Sequence, residues 1–264
     1  MTTEANIGHT LRMRRFVFLL ALAVTACSNT PKGPDPDVLW KLVSEKCVPA
    51  QQAGTNPPAP CAAVDLTGGV AHGSAVLKDR DGATQYLLIP TARITGIEDP
   101  AILAPDATNY FARAWTERGR VDDIIGHPLP REAISLAVNS TTARSQNQLH
   151  IHIDCLNADV RVLLKQNNGK IGLAWKDFPT PLAGQHYRAM RLAGDDLARI
   201  NPFKLLAANI PGGTANMGNH TLVVTGTMMP TRKPGFILLD GQADPKTNDP
   251  GKGEDLQDHA CAGS

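Results

Sequence analysis

The sequence is short of three things. Aromatic residues make up 5% of its 264 positions, three Trp, three Tyr and six Phe, scattered rather than grouped. They form no series on which successive bases could stack, and single-strand binding relies on such stacking. Charge of one sign is missing too: 26 Lys and Arg stand against 25 Asp and Glu, a formal net charge of +1. A polyanion partner asks for a basic surplus, so nucleic acid is set aside. The third shortage is long apolar runs. The run Phe16–Val24 is nine residues, below the about 20 that an ordinary membrane-spanning helix needs. What remains, 42% apolar residues in 264, suits one large soluble domain or one domain with an elaborated half.

The short apolar run has its own meaning. Arg12, Arg14 and Arg15 precede it, and Val24-Thr25-Ala26-Cys27 follows it. A basic segment, a short apolar segment and a small-residue cleavage site form a signal peptide, and the closing Cys resembles a bacterial lipobox. Residues 1–26 are therefore expected to be a signal peptide and Cys27 the lipidated residue. Residues 27–37, rich in Ser, Asn, Pro and Gly, are expected to tether the anchor to a domain over 38–264. The predicted location is the bacterial envelope, exported and membrane-anchored, with the periplasmic face of the inner membrane favoured over the outer membrane. Cys47, Cys61, Cys155 and Cys261 remain. An even set in an exported chain suggests disulfides. Of three possible pairings, the expected one is Cys47–Cys61 with Cys155–Cys261, the second pinning the C-terminal tail.

The chemistry concentrates in Gln148-Leu149-His150-Ile151-His152-Ile153-Asp154-Cys155-Leu156. Apolar and polar residues alternate, which predicts a half-buried strand. Residues two apart share a face, so Ile151, Ile153 and Cys155 should face the core. His150, His152 and Asp154 should line the other face at roughly 6–7 Å steps. Such a row could be a solvated strand face, a metal site or a nucleophile's site. Zinc needs at least a third ligand in fixed geometry, and no second His/Asp/Glu pair at ligand spacing stands out. A neutral imidazole whose tautomer is fixed is a good nucleophile.

Around that row the elements read as α+β. Val70–Leu77 and Gln85–Ile89 are strand-like, with a turn at Asp79–Gly82. Ala107, Tyr110, Phe111, Ala114, Trp115 and Arg118 make one helical stripe, with Asp106 near its start and Gly119 near its end. A strand over 133–139 ends at Asn139, and a polar loop over 140–147 returns the chain to the histidine strand. Beyond 156, a helix over 157–166, a strand over 185–192 and a helix opened by Asn201-Pro202 lead to strands at 221–227 and 236–240. The last 20 residues read as an extended tail.

These landmarks carry a resemblance. His150-Ile151-His152-Ile153-Asp154-Cys155-Leu156 resembles the histidine-triad signature, alternating His with apolar residues, with Asp154 in the third place. Asn139 and the Gln146–Asn147 pair stand where that superfamily has an Asn and a polar pair, and Tyr86–Ile94 resembles its first core strand. More closely, the chain resembles the CDP-diacylglycerol pyrophosphatase family through Gln148–Cys155, His186–Ala193, Asn201–Ala207 and Thr221–Val224.

The resemblance implies a histidine-triad-like antiparallel sheet with packed helices, a catalytic half over about 62–160, and a C-terminal half over about 161–264 that could be a degenerate repeat. It implies hydrolysis of CDP-diacylglycerol to CMP and phosphatidate. His152 would be the nucleophile, with His150 and Asp154 beside it. Asn139, Asn147, Gln148, Arg144, Arg188 and Arg191 would be substrate contacts. No metal and no cofactor are expected, and the implied partners are the lipid substrate and a membrane surface. Oligomeric state stays open. Two other readings stay open as well: a related hydrolase or transferase of a soluble nucleotide diphosphate ester, and a non-catalytic nucleotide- or metal-binding envelope lipoprotein.

Overall fold

The computed structural model describes residues 1–2 and 35–263. Nearly all of the expected signal peptide, Cys27 and most of the expected tether fall outside the described residues. Among the described residues, ten strands form one antiparallel sheet in the order β1-β2-β3-β5-β4-β8-β9-β7-β6, with β10 paired to the end of β5. The strands are β1 Ala63–Asp65, β2 Ser74–Lys78, β3 Tyr86–Pro90, β4 Ile134–Val138, β5 Ile151–Leu156, β6 Lys176–Asp177, β7 Tyr187–Ala193, β8 His220–Met228, β9 Pro234–Gln242 and β10 Gln257–Asp258. The helices are α1 Val38–Leu42, α2 Val48–Gln52, α3 Tyr110–Thr116, α4 Gly119–Ile125, α5 Ala158–Gln166 and α6 Pro202–Ala207.

The fold class is the expected α+β, and the two halves share one continuous sheet through the β4–β8 pairing. Strand order repeats across that join. The path β4-β5-β3-β2 on one side has its counterpart in β8-β9-β7-β6 on the other. Where β5 sets its histidine row, the register carries the same face through Ala137 and Val223 to Leu239 of β9, flanked by Ile237 and Gly241. The second half therefore has no counterpart of the row at that position.

Each face of the sheet buries a different core. One face is a single large cluster joining Ile151, Ile153 and Cys155 to Leu136, Val224 and Leu238, covered by α3 and α6. The α3 stripe works as its spacing requires: Tyr110, Phe111, Ala114 and Trp115 are all buried. Phe111 packs on Phe203 of α6 with ring centroids 4.8 Å apart. The opposite face carries two separate clusters. One, under α1 and α2, contains Leu87 and Ile89 and the Cys47–Cys61 disulfide. The other, against α5, contains Ala137, Leu156 and Val223. β5 lies between them, so the histidine row sits in the seam between two apolar clusters.

Three local expectations are corrected. The helix read over 107–118 begins at Tyr110, capped by Asn109, whose side chain accepts from Ala112 N–H. It stops at Thr116, and Gly119 opens a second short helix instead of ending the first. Val70–His72 is a single 3₁₀ turn, with the strand confined to Ser74–Lys78. The C-terminal segment, expected as an extended tail pinned by Cys261, is packed along its length. Gly253, Leu256 and Gln257 are buried, and β10 pairs with Cys155 and Leu156. Gly253 has no room for a Cβ, which would stand 2.4 Å from Thr221 Oγ1 and 2.8 Å from Val223 Cγ2. The segment is a strap pressed on the sheet, held at its end by the Cys155–Cys261 disulfide.

Candidate active site

The strap crosses the histidine row. His150, His152 and Asp154 share one face of β5, and none is solvated: they are 8%, 5% and 0% exposed. Their burial rules out a plain solvated strand face. On the neighbouring strands, Leu87 of β3 and Ala137 of β4 stand directly beside His152, so the imidazole is flanked by apolar side chains.

The two histidines are held differently. His150 Nδ1 lies 2.7 Å from the Gln148 carbonyl oxygen. A carbonyl only accepts, so Nδ1 carries the proton and Nε2 keeps its lone pair. His152 packs edge-on against His150, ring centroids 4.9 Å apart. Both its ring nitrogens are buried without a hydrogen bond. The nearest charge is Glu254 of the strap, whose Oε2 is 3.1 Å from Nδ1 but not aligned for a hydrogen bond. Burial pushes both imidazoles below the ordinary histidine range. The shift is large for His152, where His150, His259 and Lys252 add to it. Both rings are thus kept neutral, the state in which an imidazole nitrogen can attack. Buried polar atoms left without partners are unusual and point to a catalytic or binding role.

Asp154 does not reach either histidine. Its Oδ1 accepts from the Thr84 hydroxyl at 2.6 Å and from Cys155 N–H at 2.9 Å. Its Oδ2 pairs with His259 Nδ1 at 2.7 Å. The third place of the row therefore anchors the strap.

The mouth of the site lies at the other end of the row. Gly96, Val138, Asn139, Arg144, Gln148, Leu149 and His150 enclose a small cavity of about 10 Å³, room for about one water. Asn139 Oδ1 accepts from Glu254 N–H at 3.3 Å, tying the mouth to the strap. Arg144 is paired with Glu98 and reaches Asn147 Oδ1 at 3.4 Å. It lies directly over Gly96, where a Cβ would come within 2.0 Å of Nη1. Gln148 gives both amide hydrogens to the Pro90 and Ala92 carbonyls, leaving a buried Oε1 with no partner. It is placed as an acceptor, not as a donor to phosphate.

The two remaining arginines are not brought to the row. Arg188 lies on the opposite face of the sheet, aligned with Asp240 in register and ion-paired to it. Asp240 also takes His220 Nδ1 at 2.6 Å. Arg191 shares the row's face but stands four strands away, roughly 19 Å, and donates to Asn168. Two larger cavities, about 620 Å³ and 780 Å³, contain none of the row. Among the described residues, the one grouping of metal-type ligands is Asp154 with Cys155 and Cys261, and its two cysteines are joined to each other.

Sequence reading missed Thr84, Lys252, Glu254 and His259. None lies in a motif with the histidines, and the strap meets them only through the fold. The expected Cys155–Cys261 bond was the one signal that the C-terminus returns to this strand.

The sequence profile of the CDP-diacylglycerol pyrophosphatase family matches residues 34–264. A Yersinia pestis protein named CDP-diacylglycerol pyrophosphatase is 38% identical over 258 residues, covering 97% of this chain and 96% of that protein.

Proposed function

Starting from a chain that belongs to the CDP-diacylglycerol pyrophosphatase family, we propose that it hydrolyses CDP-diacylglycerol to CMP and phosphatidate through a nucleotidyl-histidine intermediate on His152. The observation that carries the residue assignment is the state of that imidazole: neutral, buried, and with its Nε2 unused by the protein.

The reaction runs in two displacements. The Nε2 lone pair of His152 forms a bond to the cytidine-side phosphorus. The bond from that phosphorus to the bridging oxygen breaks, and phosphatidate leaves with the electron pair. Water then attacks the same phosphorus, the P–N bond breaks, its pair returns to the ring, and CMP departs. Splitting one displacement into two lowers the barrier to each. Arg144, Asn139 and Asn147, which gather at the mouth, would hold phosphate oxygens where charge develops. Gln148 Oε1 would accept from a hydroxyl or amino group of the nucleoside.

One observation favours a second reading, with His150 as nucleophile. Its Nδ1–H is already fixed on the Gln148 carbonyl, and it lines the cavity at the mouth. The reading with His152 is preferred because its buried Nε2 has no other use.

The N-terminal segment completes the proposal. With residues 1–26 removed and Cys27 lipidated, the enzyme would be held at the envelope membrane where its lipid substrate lies, raising the local concentration. Among the described residues no helix is long and apolar enough to cross a membrane.

CMP release from CDP-diacylglycerol in mixed micelles, with EDTA present, tests the reading. The wild type should release CMP and His152→Ala should fall at least a thousandfold while staying folded. No CMP from folded wild type, with turnover of a soluble nucleotide diphosphate ester, would move the assignment to that substrate class.

A further inference from the structure

The C-terminal strap lays the Glu254 carboxylate against the row, next to Asn139 at the mouth. Glu254 Oε2 stands 3.1 Å from His152 Nδ1, and its other oxygen, Oε1, is 3.1 Å from Lys252 Nζ. The strap is fixed on both sides of Glu254. Gly253 is wedged against Thr221 and Val223, Leu256 is fully buried, and Gln257 donates to the His152 carbonyl at 3.3 Å. The Glu254 side chain is 17% exposed. A buried imidazole and a largely shielded carboxylate, each anchored by its own backbone, thus meet at Nδ1, the ring nitrogen that does not attack.

We propose that Glu254 is the positioning residue for His152: a small turn of ring or carboxylate from their 3.1 Å approach lets Oε2 accept the Nδ1 proton, which fixes the tautomer that leaves Nε2 with its lone pair and stabilises the positive ring after Nε2 is bonded to phosphorus. The inference rests on His152 being the nucleophile. An imidazole bonded at Nε2 and protonated at Nδ1 carries a positive charge, and a carboxylate on Nδ1 lowers the cost of that charge. This is the same division of labour as nucleophile, base and orienting group in covalent catalysis at large. The titratable groups about the ring are His150 and Asp154 on β5, and Lys252, Glu254 and His259 on the strap. β3 and β4 contribute Leu87 and Ala137 there, and neither titrates.

Removing the charge while keeping the shape makes the test. Glu254→Gln should lower kcat about a hundredfold with KM for CDP-diacylglycerol within twofold. The acid limb of kcat/KM should move to lower pH, because the imidazole has lost the carboxylate that favours its protonated form. Glu254→Asp should recover part of kcat. On resting enzyme, nitrogen NMR of His152 should show Nδ1–H in the wild type and a mixture of tautomers in Glu254→Gln, with unchanged thermal melting. An unmoved pH limb and an unchanged tautomer in Glu254→Gln would overturn the proposal. The two failures separate cleanly. If His152→Ala still releases CMP, the nucleophile is misassigned, whereas the NMR measurement still decides whether Glu254 governs the ring.

Discussion

Asp154 and His259 are joined by a 2.7 Å contact from Oδ2 to Nδ1, with the carboxylate fully buried and the imidazole half-buried at the surface. The pair makes the third place of the row a clasp for the strap. Thr84 closes the other oxygen of Asp154, and Gln85 Nε2 stands 3.1 Å from the same His259 nitrogen.

The clasp gives a stability that depends on pH. The hydrogen bond that His259 donates to the Asp154 carboxylate holds its imidazole above the ordinary histidine range. A group whose folded value is raised stabilises fully below its unfolded value, about 6.5, and loses that contribution as pH rises through the folded value. Melting temperature should therefore decline from mildly acid to mildly alkaline pH, and His259→Ala should flatten that slope. Lys252 and Glu254 also face this histidine, so Glu254→Gln serves as the control for charge alone. An identical slope in wild type and His259→Ala would exclude the clasp.

Gly253 tests whether the strap belongs to the site. A methyl group there meets Thr221 Oγ1 and Val223 Cγ2, so Gly253→Ala should lift the segment and carry Glu254 away from His152. CMP release should drop at least tenfold with the sheet's far-UV signature retained. Full activity in this variant would mean that the strap is only a cover.

The Cys155–Cys261 bond closes a long loop, with a sequence separation of 106. Chain-entropy reasoning gives such a closure about 3–5 kcal/mol. Cys261→Ala should lose stability of that order in denaturant unfolding. Stability within 1 kcal/mol of wild type would show that burial of Leu256 and pairing of β10 hold the strap without the bond.

Arg188 offers a contrast. Its guanidinium satisfies Asp240, which is buried with His220, on the face away from the row. Arg188→Ala should cost about 1–3 kcal/mol of stability, less than breaking a fully buried pair because Arg188 is partly exposed and His220 remains. KM for CDP-diacylglycerol should stay within twofold. A tenfold rise in KM without loss of stability would return Arg188 to the list of substrate contacts.

Much of this was legible in the chain. Alternation through 150–155 places the histidines and the core isoleucines on opposite faces, because a strand admits no other arrangement of that pattern. The Asn-Pro start at 201–202 reads directly as a cap, and Asn201 does accept from Phe203 N–H. What stayed hidden depends on contacts between distant segments. Asp154 looked like a partner for the imidazoles because it shares their face. In the folded chain the strap supplies it with a closer histidine. Arg188 and Arg191 stand three apart in a strand, so the spacing itself puts them on opposite faces, and what stayed hidden is that each meets a local partner. Glu254 sits in a polar, glycine-containing stretch that has no periodicity to read, and only packing of Gly253 and Leu256 brings it to His152.

The most direct measurement is to trap the intermediate. Enzyme mixed briefly with CDP-diacylglycerol labelled in the cytidine moiety, then quenched under alkaline conditions that preserve a phosphoramidate, should carry one CMP per chain. Peptide mapping should place it on His152, with no adduct in His152→Ala. A CMP adduct on His150, or turnover without any adduct, would contradict the account.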